Sequence, residues 1–293
     1  MPPIPPPRAS GFTSTTQIPL YWAVYGPEGA PRLLVLHGGP GAHHDYLLPQ
    51  MLQLADSCEL IFYDQRGGGR SKTDDRTPIT WRTHVEDLDH VIGELGLDPV
   101  IIVGYSWGGL LAILYAIEAA AGRTRHRPTR LVLIDPAPVT RAYREDFERE
   151  FLRRQSDAAV GKLRADLASS GLRERDPDAY RQRAFELSVA GYFADPAATH
   201  DLTPFRVTGR VQQSVWESLG QYNLLAPGQL DSIVVPTLIV HGRQDPIPLA
   251  SSEATANAMG AQLVVIENAG HVPYVEQPQA LFTAVRDFLV HQD

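Results

Sequence analysis

With 293 residues, 43% hydrophobic and 20% charged, the chain is long enough for a large buried core and for one domain carrying a sizeable insertion. Its formal charge is −8, Lys72 and Lys162 are its only lysines, and its arginines are scattered, which excludes the clustered positive stripe a nucleic-acid partner needs. No apolar stretch is long enough to span a bilayer, and a lone cysteine, Cys58, excludes an intrachain disulfide and is expected to be a buried, inert thiol.

Residues 1–10, MPPIPPPRAS, carry no apolar run behind a positive start, so they read as an extended Pro-rich arm and not as a secretory signal. A cytoplasmic protein is the expectation. Residues 12–25 alternate and are rich in Thr, Tyr, Trp and Val, which predicts one or two edge strands. Short continuous apolar runs follow: LLVLHGG (33–39), LIFYDQRG (60–67), VIIVGYS (100–106), LVLIDPA (131–137), TLIVHGRQD (237–245) and LVVIENAGH (263–271). Runs without alternation suit strands covered on both faces, as in a parallel sheet. Helical spacing separates them at 80–95, with Gly96 as a stop, at 107–121 and at 277–291. The pattern predicts an α/β fold: a mostly parallel sheet of eight strands with helices on both faces.

Residues 140–225 break the rhythm. They are charged, contain YREDFEREFLRRQ and RQRAFELSVAGYF, and hold no strong strand. The expected organisation is a core in two parts, 11–139 and 226–293, with a mostly helical cap at 140–225 roofing the carboxyl ends of the strands.

Gly104-Tyr105-Ser106-Trp107-Gly108 is a G-x-S-x-G set directly after an apolar strand and directly before a helix. That turn strains the serine and presents its hydroxyl at a helix N-terminus, where the dipole favours a developing anion. A nucleophilic Ser106 needs a base. His271, in Asn268-Ala269-Gly270-His271 after the last strand, has the address the chain order Ser, acid, His requires. His90, His126 and His200 are expected to be solvated. The acid is expected at Asp245, ending TLIVHGRQD; Asp135, ending LVLID, is the rival, although Asp135-Pro136-Ala137-Pro138 looks like the turn that launches the cap. His37-Gly38-Gly39-Pro40-Gly41 follows a core strand, and its glycines suit backbone donors to an oxyanion: Gly39, together with the N–H of Trp107.

HGGPG, Asp64-Gln65-Arg66-Gly67-Gly68-Gly69-Arg70-Ser71 and Ser106-Trp107-Gly108-Gly109 together resemble the proline iminopeptidase group of α/β-hydrolases, over about residues 30–137 and 230–293. The resemblance implies Ser106 as nucleophile, Asp245 and His271 as its partners, Gly39 and Trp107 as oxyanion donors, and a buttressing role for Asp64 and Arg66. It implies an enzyme that removes N-terminal residues from small peptides, the alternative being a carboxylesterase or lactonase of small acyl substrates. Two departures stand out. Some members place a glutamate directly after the catalytic aspartate to help bind the substrate amine, and this chain has Pro246 there. The second amine-binding carboxylate comes from the cap, where Glu217, in Val215-Trp216-Glu217-Ser218, is the candidate. No cofactor or metal is expected, since no HExxH or paired-cysteine pattern occurs. The expected partner is a small molecule or short peptide.

Overall fold

A computed structural model of the chain describes residues 4–74 and 77–290. Among the described residues there are eight strands: β1 (Ala9–Phe12), β2 (Tyr21–Tyr25), β3 (Arg32–Leu36), β4 (Glu59–Tyr63), β5 (Val100–Tyr105), β6 (Pro128–Ile134), β7 (Thr237–Gly242) and β8 (Gln262–Ile266). They form one sheet in the order β1-β2-β4-β3-β5-β6-β7-β8. The pairs β1/β2 and β2/β4 are antiparallel and the rest parallel.

Two expectations about the amino-terminal part are corrected. The arm does not extend to residue 10, because Ala9 and Ser10 already pair with Val24 and Ala23; Pro5, Pro6 and Pro7 lack the ladder donor, whereas ASGF supplies it. Residues 1–3 of that arm lie outside the described residues. Also, β2 is not an edge strand but lies between β1 and β4.

The continuous apolar runs are explained by burial on both faces. Leu34 and Leu36 of β3 pack on the side of α1 (Trp81–Glu94) and α2 (Trp107–Ala120). Leu33 and Val35 pack on the opposite side, with α10 (Pro278–Val290). Thr80 caps α1 by accepting the Thr83 N–H. All of α2 from Trp107 to Ala119 is buried, which is why its sequence is apolar apart from Tyr115 and the ion-paired Glu118.

Between β6 and β7 lie α3 (Arg141–Gln155), α4 (Ala158–Ser169), α5 (Leu172–Arg175), α6 (Pro177–Ser188) and α7 (Gly209–Leu219). No residue of α3 is buried; its charges pair along the helix as Arg141–Glu145, Arg144–Glu148 and Arg154–Glu150. After β7 come α8 (Leu249–Met259) and α9 (Pro273–Glu276), the latter just before α10. Because β3 is flanked by β4 on one side and β5 on the other, the winding direction reverses there, and a crevice opens beyond the carboxyl ends of β3 and β5.

Candidate active site

Ser106 stands in that crevice, between β5 and α2, with φ +54° and ψ −119°. A non-glycine residue rarely adopts such dihedrals, and the surroundings enforce them. A Cβ on Gly104 would lie 2.5 Å from the Gly108 carbonyl oxygen, and one on Gly108 would lie 2.2 Å from that of Leu36. The two glycines of the motif thus let the chain turn tightly enough to lift the serine clear.

His271 Nε2 lies 2.9 Å from Ser106 Oγ, and His271 Nδ1 lies 2.8 Å from Asp245 Oδ2. The structure therefore brings Ser106, His271 and Asp245 into one hydrogen-bonded chain. The other oxygen of Asp245 accepts the Ile247 N–H at 2.7 Å. Asp135 does not reach the imidazole by a hydrogen bond; its Oδ1 accepts the Gly242 N–H instead. Burial lowers the His271 pKa to about 4, against a smaller opposing pull from Asp135. Burial raises that of Asp245 to about 7, partly offset by hydrogen bonds from Asp135 and the Ile247 N–H.

The HGGPG turn faces this chain. A Cβ on Gly38 would lie 2.8 Å from that of Ser106, so its backbone runs against the nucleophile. The Gly38 N–H is donated to the Tyr46 hydroxyl at 2.7 Å, which leaves Gly39, at φ +60°, as the glycine of the pair to supply a donor. Trp107 opens α2, so its N–H belongs to a first turn that has no helical acceptor. Both residues line the same cavity as Ser106.

The DQRGGGRS segment holds these loops together. The Gln65 N–H donates to His37 Nε2 at 3.0 Å, its side-chain amide donates to the His37 carbonyl, and its Oε1 accepts Trp107 Nε1–H at 2.8 Å. Burial lowers the His37 pKa to about 4, so the ring stays neutral, with Nδ1–H on the Gly38 carbonyl. Asp64 accepts from the His44 N–H and ring and from the Arg70 N–H. Burial works against its charge, but the His44 bonds hold the carboxyl well below its usual range. Arg66 is paired with Asp87. Asp64 and Arg66 touch neither Ser106 nor His271 by hydrogen bond, in keeping with a scaffolding position.

The cavity over Ser106 measures about 650 Å³. Its walls are largely aromatic, including Tyr46, Phe147, Phe151, Tyr192 and Phe205, and Tyr192 and Phe147 stack near His271. Glu217 lines it but is exposed, and its Oε1 accepts from Gln213. Sequence reasoning missed Glu148 and Arg144, which also line the cavity; the Arg144 guanidinium pairs with Glu148 and lies 4.0 Å from the centre of the Trp216 ring. Their i,i+4 spacing was readable, but not the side of α3 that faces the cavity. Also missed were three ties between the helices after β6 and the loops of Asp245 and His271. Arg154 donates to the Gln244 carbonyl, the His271 N–H donates to the Tyr192 carbonyl at 2.6 Å, and Glu276 accepts from both Gly270 and Ala194 N–H groups.

Asp135, His241 and Asp245 bring three ligand-type atoms within 4.8 Å of one another. They suit a metal poorly. His241 uses both nitrogens, on Ser252 and on the Ile247 carbonyl, and both oxygens of Asp245 are engaged, leaving only Asp135 Oδ2.

The fold and its crevice are those of an α/β-hydrolase, and the chain belongs to the alpha/beta hydrolase family, whose model matches residues 33–284. Among curated proteins it is similar to the proline iminopeptidase of Saccharolobus solfataricus, with 27% identity over 95% of this chain and 91% of that one. Among solved structures it is similar to the proline iminopeptidase of Mycobacterium smegmatis, at TM-score 0.67 and 22% identity, covering 96% of this chain and 97% of that one. It is almost equally similar to the enol-lactonase from Burkholderia xenovorans LB400, at TM-score 0.65 and 20% identity, covering 96% and 100%. The chain is thus a hydrolase by family, and its fold does not distinguish peptide from ester or lactone substrates. Among the described residues, no helix is long and apolar enough to cross a membrane.

Proposed function

We propose that the protein is a serine hydrolase working through an acyl-enzyme, and that it releases N-terminal residues from short peptides. The observation that carries the chemistry is the unbroken hydrogen-bonded chain Asp245–His271–Ser106 beneath an aromatic cavity. His271 Nε2 takes the hydroxyl proton as Ser106 Oγ attacks the substrate carbonyl carbon, while Asp245 holds the ring with its Nδ1 protonated. The Gly39 and Trp107 N–H groups stabilise the tetrahedral oxyanion. The imidazolium then gives its proton to the leaving amine. Water, deprotonated by the same nitrogen, attacks the ester and frees Ser106. Labelling with a fluorophosphonate tests this directly: wild type is modified at Ser106 and Ser106→Ala is not, and an unmodified wild type overturns the reading.

The peptidase preference rests on two cavity carboxylates, Glu217 and Glu148, as partners for a substrate ammonium, together with the similarity to proline iminopeptidases. Proline-β-naphthylamide is expected to turn over, and its N-blocked form is not. Equal cleavage of both, or of neither while p-nitrophenyl esters turn over well, favours the second reading, a small-acyl esterase or lactonase. Two observations favour that alternative: Pro246 stands where an amine-binding glutamate would be, and Arg144 already neutralises Glu148.

A further inference from the structure

Asp135 directly follows β6, with no exposure at all and a left-handed backbone, φ +41°. Its Oδ1 has one donor, the Gly242 N–H at 2.8 Å, and its Oδ2 has no hydrogen-bond partner among the described residues. The nearest basic group is His241 Nδ1, 3.7 Å away. That ring donates from Nε2 to the Ile247 carbonyl, so its Nδ1 carries the lone pair that accepts the Ser252 hydroxyl, and it has no proton to offer. Asp245 is the other neighbour, with a carboxylate oxygen within 4.8 Å.

Two carboxylates this close, Asp135 without exposure and Asp245 nearly so, strongly disfavour a charge on both; one keeps a proton. The donors decide which. Asp245 receives the Ile247 N–H and the His271 Nδ1–H, whereas Asp135 receives a single amide. The charge belongs on Asp245 and the proton on the unsatisfied Oδ2 of Asp135.

We propose that Asp135 is the un-ionised half of a buried acid pair and acts as a positioning residue, donating its carboxyl proton to Asp245. This rests on the serine hydrolase reading for its functional consequence, though not for the protonation itself. The donated bond disperses charge on Asp245, keeps that group ionised, and so keeps the shared proton on His271 Nδ1 and the lone pair on Nε2, facing Ser106. Burial, then the Asp245 charge, pushes the Asp135 carboxyl well above its ordinary range, with His271 opposing. The other ionisable groups around the pair are Tyr105 of β5, Tyr274 of α9, Tyr192, Arg154 of α3 and Glu276, and Arg154 and Glu276 act on Asp245 in opposite directions.

The test compares Asp135→Asn, whose amide still donates, with Asp135→Leu, which donates nothing. In infrared difference spectra at neutral pH, wild type minus D135N is expected to show the carbonyl band of an un-ionised carboxylic acid, also in an S106A background where no turnover occurs. In pH profiles of kcat/KM on a p-nitrophenyl ester, D135L is expected to move the acidic limb up by roughly one unit, because Asp245 then protonates more readily. D135N is expected to keep the limb where wild type has it. Absence of the acid band overturns the proposal, as does a D135N profile that follows D135L. If D135L does not fold, the band and the D135N limb decide alone. Should the fluorophosphonate fail to label wild type, the hydrolase reading falls, while the infrared band still tests Asp135.

Discussion

At the scale of the residue, Asp245 and Asp135 pose the sharpest question, because each follows a core strand at the carboxyl end of the sheet. Sequence order ranks them only weakly. Their separation comes from the backbone: Asp245 follows a turn after β7 that carries its carboxylate onto His271 Nδ1, whereas Asp135 stays at the end of β6 and is used by the Gly242 amide. We expect Asp245→Asn to lower kcat by about 10⁴-fold, since an amide partner admits the wrong tautomer of the base. Near-normal turnover by this variant, together with an inactive Asp135→Asn, would exchange the two roles. For Glu217 the expected effect is of a different kind. Glu217→Gln raises KM for proline-β-naphthylamide by roughly fivefold, as one exposed charge pair to an ammonium is worth about 1 kcal/mol, and leaves kcat and ester hydrolysis unchanged. A proportional loss on both substrates would remove Glu217 from amine recognition.

Elements were legible to the degree that their residues report burial. The six apolar runs correspond to β3 through β8, of which β3 to β7 are covered on both faces and the edge strand β8 only in part, and Thr80 and Gly96 bracket α1 as a cap and a stop should. The sheet order was not legible, since β4-β3-β5 depends on which way each crossover winds and not on any residue in the strands. Least legible was α3: with no buried residue it carries no stripe to mark its inner side, yet it lines the cavity with Arg144, Phe147, Glu148 and Phe151. It also anchors the loop before Asp245, through Arg154 to the Gln244 carbonyl. Because Arg154 also pairs with Glu150 and reaches no substrate atom in the proposed chemistry, its loss should loosen geometry and not fold. Arg154→Met is expected to lower kcat about tenfold, through misplacement of Asp245, with the thermal midpoint nearly unchanged. Unchanged turnover, or a drop in midpoint matching the loss of activity, would count against an anchoring role for α3.

For the molecule as a whole, stability against pH is set by buried ionisable groups pulling in opposite directions. Burial lowers the pKa of His37, His84, His241 and His271, so on the acidic side the unfolded chain takes up protons that the fold refuses. Burial raises Asp87, Asp135, Asp245 and Glu276, so over much of the same range the fold retains protons that the unfolded chain loses. The two sets offset each other, and removing one histidine should tilt the balance measurably. His84 is the group to remove. It lies on α1 with no exposure, its ring meets Trp107 edge-on at 5.9 Å, and neither ring nitrogen has a hydrogen-bond partner among the described residues. Burial brings its pKa to about 3, so the ring is neutral in the fold. Above the unfolded-state histidine pKa of about 6.5 both states are neutral, and His84→Met then gains only the relief of two unsatisfied nitrogens, roughly 1–3 kcal/mol. As pH falls below about 6.5 the unfolded wild type gains a proton at this position, and the advantage of the variant grows by about 1.4 kcal/mol per pH unit. Urea unfolding at pH 7.5 and pH 5 measures both terms: the variant should be the more stable at each, by about 2 kcal/mol more at the lower pH. A gap that stays constant with pH would mean that His84 takes up its proton in the fold as it does in the unfolded chain, and a variant less stable than wild type would mean that its ring nitrogens are satisfied.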